Sequence, residues 1–162
     1  MRKLMEKSLE NLLIAIEFDK KPFPKKHTCD GENISPKVVV ERITSPYLAL
    51  ILYDMDVPGE YTQWTIWNIP IQGDRIEIPE GIPKNREVKT PISAMQGKNS
   101  AGKIGYTGPC PPKGETHQYY FNVYGLDIAL PLAAGATREE LDEAMKGRTR
   151  QYGGQAIASY GR

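Results

Sequence analysis

Two carboxylates one residue apart, Asp54 and Asp56, follow the apolar run YLALILY in the sequence. Farther along the chain, the segment THQYYF carries His117 and Tyr119 two positions apart. If that segment is a strand, both side chains lie on one face, because successive side chains of a strand alternate. A carboxylate beside a histidine is the arrangement of a base and the group that orients it. Asp54 and His117 could form such a pair if the fold brings them together, which makes them the first candidates for chemistry.

The other parts of a hydrolase are not found in the sequence. No serine stands in a G-x-S-x-G setting, and Cys110 lies between prolines in a loop-like segment. Two histidines and no H-E-x-x-H motif argue against a histidine-rich metal centre, although Asp54, Asp56 and His117 together would make a weak divalent-cation site. We predict no catalytic residue, no metal and no cofactor. A binding module ranks above the alternative, a hydrolase that uses Asp54 and His117.

Composition narrows the class of protein. The chain has 162 residues, of which 40% are hydrophobic, so we expect one domain over residues 1–162. Lys and Arg number 21 against 20 Asp and Glu, which argues against nucleic acid as a partner. No apolar stretch is long enough for an integral membrane segment, and the first residues lack the apolar centre of a signal peptide. The cytoplasm is the expected location.

The chain has two cysteines, Cys29 and Cys110. Two cysteines without paired spacing make neither a disulfide framework nor a zinc site. Because cytoplasmic proteins normally keep their thiols reduced, we predict two free thiols, with a thermophilic source as the exception.

Short runs of branched and aromatic residues, separated by Pro, Gly and Asn, predict a mostly β protein. The predicted strands are residues 12–18, 38–41, 47–53, 64–69, 76–78 and 119–126. Thr137 and Glu140 form a capping box before Leu141 and Met145, so a helix is predicted from there to Gly147. We also expect a second helical segment over residues 154–159 and an N-terminal turn before Leu12.

Two long irregular segments, residues 20–36 and 83–112, separate these elements. Loops of this length in a compact domain are usually functional or disordered. Because both are rich in Pro and Gly, and the second leads directly into the predicted strand at Tyr119, we expect them to be ordered and functional.

The order of several motifs resembles a known family. CDGENISP is followed by YDMDVP, QWTIWNIP, GYTGPCPPKGETHQYYFNVYGLD, TREELDEAMKGR and ASYGR. This succession is similar to the phosphatidylethanolamine-binding protein family, and most similar to its bacterial and archaeal Raf kinase inhibitor-like branch. The resemblance covers nearly the whole chain from about residue 14. It implies a central antiparallel β-sheet packed on a smaller sheet, C-terminal helices, and a small pocket for anions such as phosphate or a phospholipid head group.

The resemblance also assigns residues to that pocket. The D-x-D-x-P loop of the family falls on Asp54, Asp56 and Pro58, its G-x-x-P-P segment on Gly108, Pro111 and Pro112, and its H-x-Y strand start on His117 and Tyr119. Asp54 would orient His117, or accept from an ammonium group, since a carboxylate repels an anion. The expected anion-binding residues are Asp54, Gln63, Gly108, Cys110, Pro111, Pro112, His117 and Tyr119. The expected rim is Asp56, Tyr61 and Trp64.

Each assignment has an ordinary structural alternative. Aspartates beside a turn more often form the turn than bind a ligand. Trp64 and Trp67 are three positions apart and would face opposite sides of a strand, so we expect at least one of them in the core.

The sequence departs from the family pattern at two positions. Met55 stands where many members have proline, so the loop geometry does not follow from the resemblance. Gln63 stands where a second pocket histidine is common. An amide can donate a hydrogen bond but cannot become cationic, so ligand preference is open.

The family resemblance finally implies partners. Besides a small anion or phospholipid head group, it implies a protein target, either a kinase or a protease, and it is compatible with a homodimer.

Overall fold

The computed structural model describes residues 10–153 and 155–162. Within them lie ten strands, one α-helix and a short 3-10 turn at Lys25–His27. The strands are β1 (Glu10–Ala15), β2 (Val38–Glu41), β3 (Tyr47–Asp54), β4 (Tyr61–Pro70), β5 (Arg75–Ile78), β6 (Glu87–Val88), β7 (Ala94–Gln96), β8 (Thr116–Leu126), β9 (Thr149–Gly153) and β10 (Ala156–Gly161). The helix is α1 (Arg138–Met145).

The strands form one curled sheet in the order β5-β2-β1-β9-β8-β3-β4-β7-β6, and β10 also pairs with β8. Every pair is antiparallel except β1 with β9, which run parallel. The section with β2 and β5 folds back on the main section, because its side chains share one buried cluster with those of the central strands. These packed side chains include Val38, Val40, Ile78, Leu50, Leu52 and Phe121. The predicted mostly β fold is confirmed, and the expected smaller sheet is the β2–β5 section of this one curled sheet.

The opposite face of the main sheet carries a second core. Ile51 of β3 and Trp67 of β4 pack there against Leu141 and Met145 of α1. Trp64 belongs to the first cluster. The two tryptophans therefore face opposite sides of β4, as predicted, and both are fully buried.

The helix begins as the sequence predicts. Thr137 accepts from the backbone N–H of Glu140, and the Glu140 side chain accepts from the backbone N–H of Thr137. This reciprocal pair satisfies two backbone donors that a helix start leaves open. Among the described residues, no helix has the length and apolar character that a membrane crossing requires.

The prediction of a second C-terminal helix is wrong. Residues 156–161 form β10, whose side chains are buried at every second position and which pairs with β8 from Ala156 to Gly161. The run combines Ala, Ser and Gly, which do not favour strands, with Ile157 and Tyr160, which do, and pairing along β8 determines its conformation. The turn predicted before Leu12 lies almost wholly outside the described residues.

The prediction of two free thiols is also wrong. Cys29 and Cys110 form a disulfide between the two long loops, with their Cα atoms 5.5 Å apart. The prediction rested on the number of cysteines and on the reducing conditions of the cytoplasm. A disulfide, however, depends on the distance between the two cysteines in the fold, and here the fold brings together residues 81 positions apart. The loops containing the two cysteines also hold each other by a hydrogen bond from Cys29 N to Pro109 O at 3.2 Å.

We expect removal of the disulfide by the double substitution Cys29→Ser and Cys110→Ser to destabilise the fold. A crosslink over a sequence separation of 81 restricts the unfolded chain, which corresponds to about 3–5 kcal/mol of unfolding free energy. Denaturant unfolding of the variant and of the unreduced wild type measures the difference. Reductant should lower the stability of the wild type and leave the variant unchanged. Two titratable thiols in the denatured, unreduced wild type would contradict the disulfide.

Candidate functional site

Three strands end or begin at one edge of the main sheet. Asp54 is the last residue of β3 and lies opposite Tyr61 near the start of β4 and opposite Tyr119 near the start of β8. Since β3 runs antiparallel to both neighbours, its end meets their beginnings. This topology brings together residues that the sequence separates by more than 60 positions.

A cavity of about 200 Å³ opens at this edge. It is lined by Asp54, Val57, Tyr61, Gln63, Thr107, Gly108, Cys110, Pro111, Pro112, His117 and Tyr119. All eight residues that the family resemblance assigned to anion binding are in this set, together with Tyr61 from the expected rim. Their role in binding stays a prediction, whereas their proximity is a structural fact.

Two expected rim residues have other roles. Trp64 is fully buried in the core, where its Nε1 donates to Gln96 Oε1 at 2.7 Å. Asp56 does not line the cavity: its Oδ2 accepts from the backbone N–H of Gln118 at 2.7 Å, and its own N–H donates to Asp54 Oδ1 at 2.8 Å. Asp56 thus fixes the turn after β3, which is the structural alternative considered for this pair of aspartates.

Gln63 reaches the cavity because β4 contains a bulge. Leu52 pairs with Trp64 and Tyr53 with Thr62, so Gln63 has no partner on β3. Strict alternation would turn Gln63 away from the face that carries its neighbour Trp64, but an extra residue in a strand changes the direction of its side chain. A bulge at this position cannot be read from the sequence.

The Gln63 amide uses both of its N–H groups on the cavity wall. Nε2 donates to Thr107 O at 2.7 Å and to Gly108 O at 3.0 Å. The amide oxygen is therefore the group that Gln63 has left for a ligand, and it accepts rather than donates. The donor that the sequence argument ascribed to Gln63 is already engaged.

The opposite wall, residues 107–112, is held from outside by the first long loop. Asn33 Oδ1 accepts from the backbone N–H of Gly108 at 2.7 Å, and Tyr106 donates its hydroxyl to His27 O at 2.6 Å. A Cβ atom at position 108 would collide with backbone atoms of His27 and Thr28, so this approach requires glycine. Together with the Cys29–Cys110 disulfide, these contacts fix the wall in place.

His117 lies between two carboxylates. Its Nδ1 is 2.6 Å from Asp54 Oδ2, and its Nε2 is 2.9 Å from Glu115 Oε1. Both ring nitrogens donate at once only when the imidazole is protonated. The hydrogen bond with Glu115, followed by that with Asp54, therefore raises the pKa of His117 above its ordinary value of 6.5.

Glu115 was not identified from the sequence. Its side chain is 56% exposed, whereas those of His117 and Asp54 are 9% and 5% exposed. The available signal was strand alternation, since Glu115 precedes His117 by two positions just as His117 precedes Tyr119. Position 115 lies immediately before β8, where alternation alone does not decide the direction of a side chain.

Tyr119 adds a hydroxyl to the cavity. Burial, followed by the negative charge of Asp54, raises the pKa of Tyr119 well above its usual range, so the hydroxyl stays protonated and can donate. In the wall segment 108–112, three residues are prolines without an N–H, and Gly108 donates to Asn33. The N–H of Cys110 has no acceptor among the described hydrogen bonds. The lining of the cavity thus combines the donors His117 and Tyr119 with the acceptors Asp54 and Gln63, while Glu115 contacts His117 without belonging to the lining.

Sequence comparison identifies related proteins. A sequence model described as phosphatidylethanolamine-binding protein matches residues 16–155. A UPF0098 protein of Pyrococcus abyssi is 49% identical over 134 residues, covering 80% of this chain and 74% of that protein. A UPF0098 protein of Archaeoglobus fulgidus is 43% identical over 133 residues, which is 80% of this chain and 44% of the relative. The match therefore spans less than half of the second relative.

Solved structures show the same fold. The phosphatidylethanolamine-binding protein homologue CT736 of Chlamydia trachomatis superposes with a TM-score of 0.80 at 32% identity, covering 94% of this chain and 99% of that one. Escherichia coli YbcL, described as a member of the mammalian family, gives a TM-score of 0.81 at 22% identity with the same coverage, which concerns the fold alone. The match to residues 16–155 and the sequence identity with these relatives show that the chain belongs to the phosphatidylethanolamine-binding protein family.

Proposed function

We propose that the cavity binds a small anion, either free phosphate or the phosphoryl group of a phospholipid head group. The observation that carries this proposal is the orientation of His117. Asp54 holds Nδ1, so Nε2 is the ring nitrogen left for a ligand, and it already meets a negatively charged oxygen, that of Glu115. A protonated imidazole fixed in this way is a strong donor to one oxyanion at Nε2, either the Glu115 carboxylate or a phosphoryl oxygen that replaces it.

The size and chemistry of the cavity agree with such a ligand. A volume of about 200 Å³ is below the roughly 300–1,000 Å³ of sites for drug-sized molecules, and it suits one head group or a single phosphoryl group. The Tyr119 hydroxyl adds a neutral donor. Donors from several residues are what a tetrahedral oxyanion requires.

The proposal includes a protein target, either a kinase or a protease, that the occupied cavity would modulate. Met55 follows Asp54 directly, is 45% exposed and does not line the cavity, so a charge placed there alters the surface beside the cavity and leaves its lining unchanged. Co-purification of a kinase or protease with the wild type, and its loss with Met55→Asp, tests this extension.

We also propose a cytoplasmic location. The disulfide and this location are compatible in hyperthermophiles, in which intracellular disulfides are common.

Binding is tested by calorimetric titration with two anions of constant charge, sulfate and dimethyl phosphate. Both should bind the wild type with one site per chain. The phosphodiester should be recovered unchanged, and its hydrolysis at a rate reduced by Asp54→Asn would favour the alternative of a hydrolase. Absence of binding of both anions between pH 5 and 6 would refute the proposal.

The affinity for sulfate should depend on the protonation of His117. Because the raised pKa of His117 lies above 6.5, the affinity should be constant well below that pKa and fall as the pH rises through it. One linked proton gives a limiting slope of about tenfold in the dissociation constant per pH unit. Titrations between about pH 5 and 9 in buffers of different ionisation enthalpy measure both the slope and the proton uptake, which should not exceed one.

His117→Asn and His117→Gln provide the matched controls, since each amide can donate but does not titrate in this range. Both variants should bind sulfate weakly and without the pH-dependent fall. If either retains the full pH dependence, the protonated group at the cavity is not His117.

Gln63→Met should destabilise the protein and weaken sulfate binding. The substitution leaves Thr107 O and Gly108 O without their donor, and each buried group that loses its partner reduces stability by about 1–3 kcal/mol. Gln118→Met is the matched control, because Gln118 is exposed on β8. Denaturant unfolding and calorimetry on both variants measure the two effects. Equal stability of the two variants would show that the Gln63 amide does not hold the wall.

A further inference from the structure

We propose that Glu115 is an internal competitor that occupies the His117 Nε2 donor, so that an anion in the cavity binds this donor only by displacing the Glu115 carboxylate. This inference rests on the proposed function of the cavity and concerns the regulation of that site. Glu115 would then determine how tightly an anion must bind His117 in order to replace the carboxylate.

The first observation is the position of the carboxylate. Glu115 Oε1 is 2.9 Å from His117 Nε2, the ring nitrogen that Asp54 does not hold. A phosphoryl oxygen that accepts from Nε2 would occupy the same place, because one N–H directs one strong hydrogen bond. The two negatively charged groups cannot both bind this donor.

The second observation is that the Glu115 side chain is free to leave. It is 56% exposed, and its contact with His117 is the one hydrogen bond made by its carboxylate among the described residues. The backbone of Glu115, by contrast, is fixed, since its N–H donates to Pro112 O at 3.0 Å and its carbonyl accepts from Arg162 N at 3.2 Å. Rotation about side-chain bonds therefore moves the carboxylate without moving the wall.

The third observation is the charge around the imidazole. Asp54 faces His117 from β3 and Glu115 faces it from the residue before β8. The neighbouring tyrosines are Tyr119 on β8 and Tyr160, which is the register partner of His117 on β10. Two carboxylates and one imidazolium sum to one negative charge. Displacement of Glu115 into solvent lessens this charge at the ligand position, so binding and displacement are coupled.

The contact also explains why an exposed residue can control the site. Ion pairs at the surface are weak, because solvent competes with both partners. Because the His117 imidazole is buried and has one donor left, its hydrogen bond to Glu115 is stronger than a bond between two exposed groups. Because the Glu115 carboxylate is exposed, this bond can break and form again. The competitor is then strong enough to exclude weak anions and weak enough for a phosphoryl group to replace.

The test compares sulfate and dimethyl phosphate binding by the wild type, Glu115→Gln and Glu115→Ala at pH 5.5. This pH lies below the ordinary imidazole pKa of 6.5, and Asp54, which is present in all three proteins, favours the protonated form of His117. We expect both substitutions to tighten binding by roughly three- to thirtyfold. Glu143→Gln is the charge-matched control, since Glu143 is 74% exposed and pairs with Lys146. It should change the dissociation constant by less than twofold.

A structure of the sulfate-bound wild type gives an independent readout. The inference requires a sulfate oxygen at His117 Nε2 and the Glu115 carboxylate turned away into solvent. A sulfate in the cavity with Glu115 still on Nε2, or equal affinities of the wild type and Glu115→Ala, would overturn the inference and leave the proposed function intact. Absence of binding to all of these proteins would overturn both.

Discussion

The burial of β3 on both faces is the constraint on which the rest of the structure depends. Ile51 packs on the helix side, and Leu50 and Leu52 pack on the side closed by the smaller sheet. A strand buried on two faces requires strands on both edges, which β4 and β8 provide. Asp54, where the apolar run ends, then comes to lie next to the starts of both neighbours, and the cavity forms at that edge.

The cavity depends on a second constraint, the fixing of the wall 107–112. A segment with three prolines makes few backbone hydrogen bonds of its own, so it takes its position from side chains of other segments. Gln63 holds it from inside, Asn33 holds it from outside, and the disulfide links its Cys110 to the first long loop. The imidazole of His117 thus faces a preorganised surface, which is what selective binding of a small group requires.

Much of the fold and of the site could be predicted from the sequence, and the failures have physical reasons. Apolar runs placed the central strands, and the Thr137 capping box placed the helix, because these signals are local. The residues around the cavity followed from the family resemblance, whereas Trp64, which was expected at the rim, lies in the core. Ala156–Gly161 becomes a strand by pairing with β8, and Cys29 meets Cys110 across 81 positions. Each of these depends on contacts distant in sequence, for which one sequence carries no signal.

The strand order has a consequence for how the chain acquires its structure. β8 is inserted between β3 and β9, and β1 pairs with β9 near the other end of the sequence. The first half of the chain does not contain all the strands of the sheet. During synthesis, β3 can therefore pair with β4 but lacks its other neighbour until residues 116–126 have been made. Proteins dominated by such distant pairings fold slowly. An emerging chain with an apolar β3 and one unpaired edge is therefore exposed to aggregation for longer than a chain built from local hairpins.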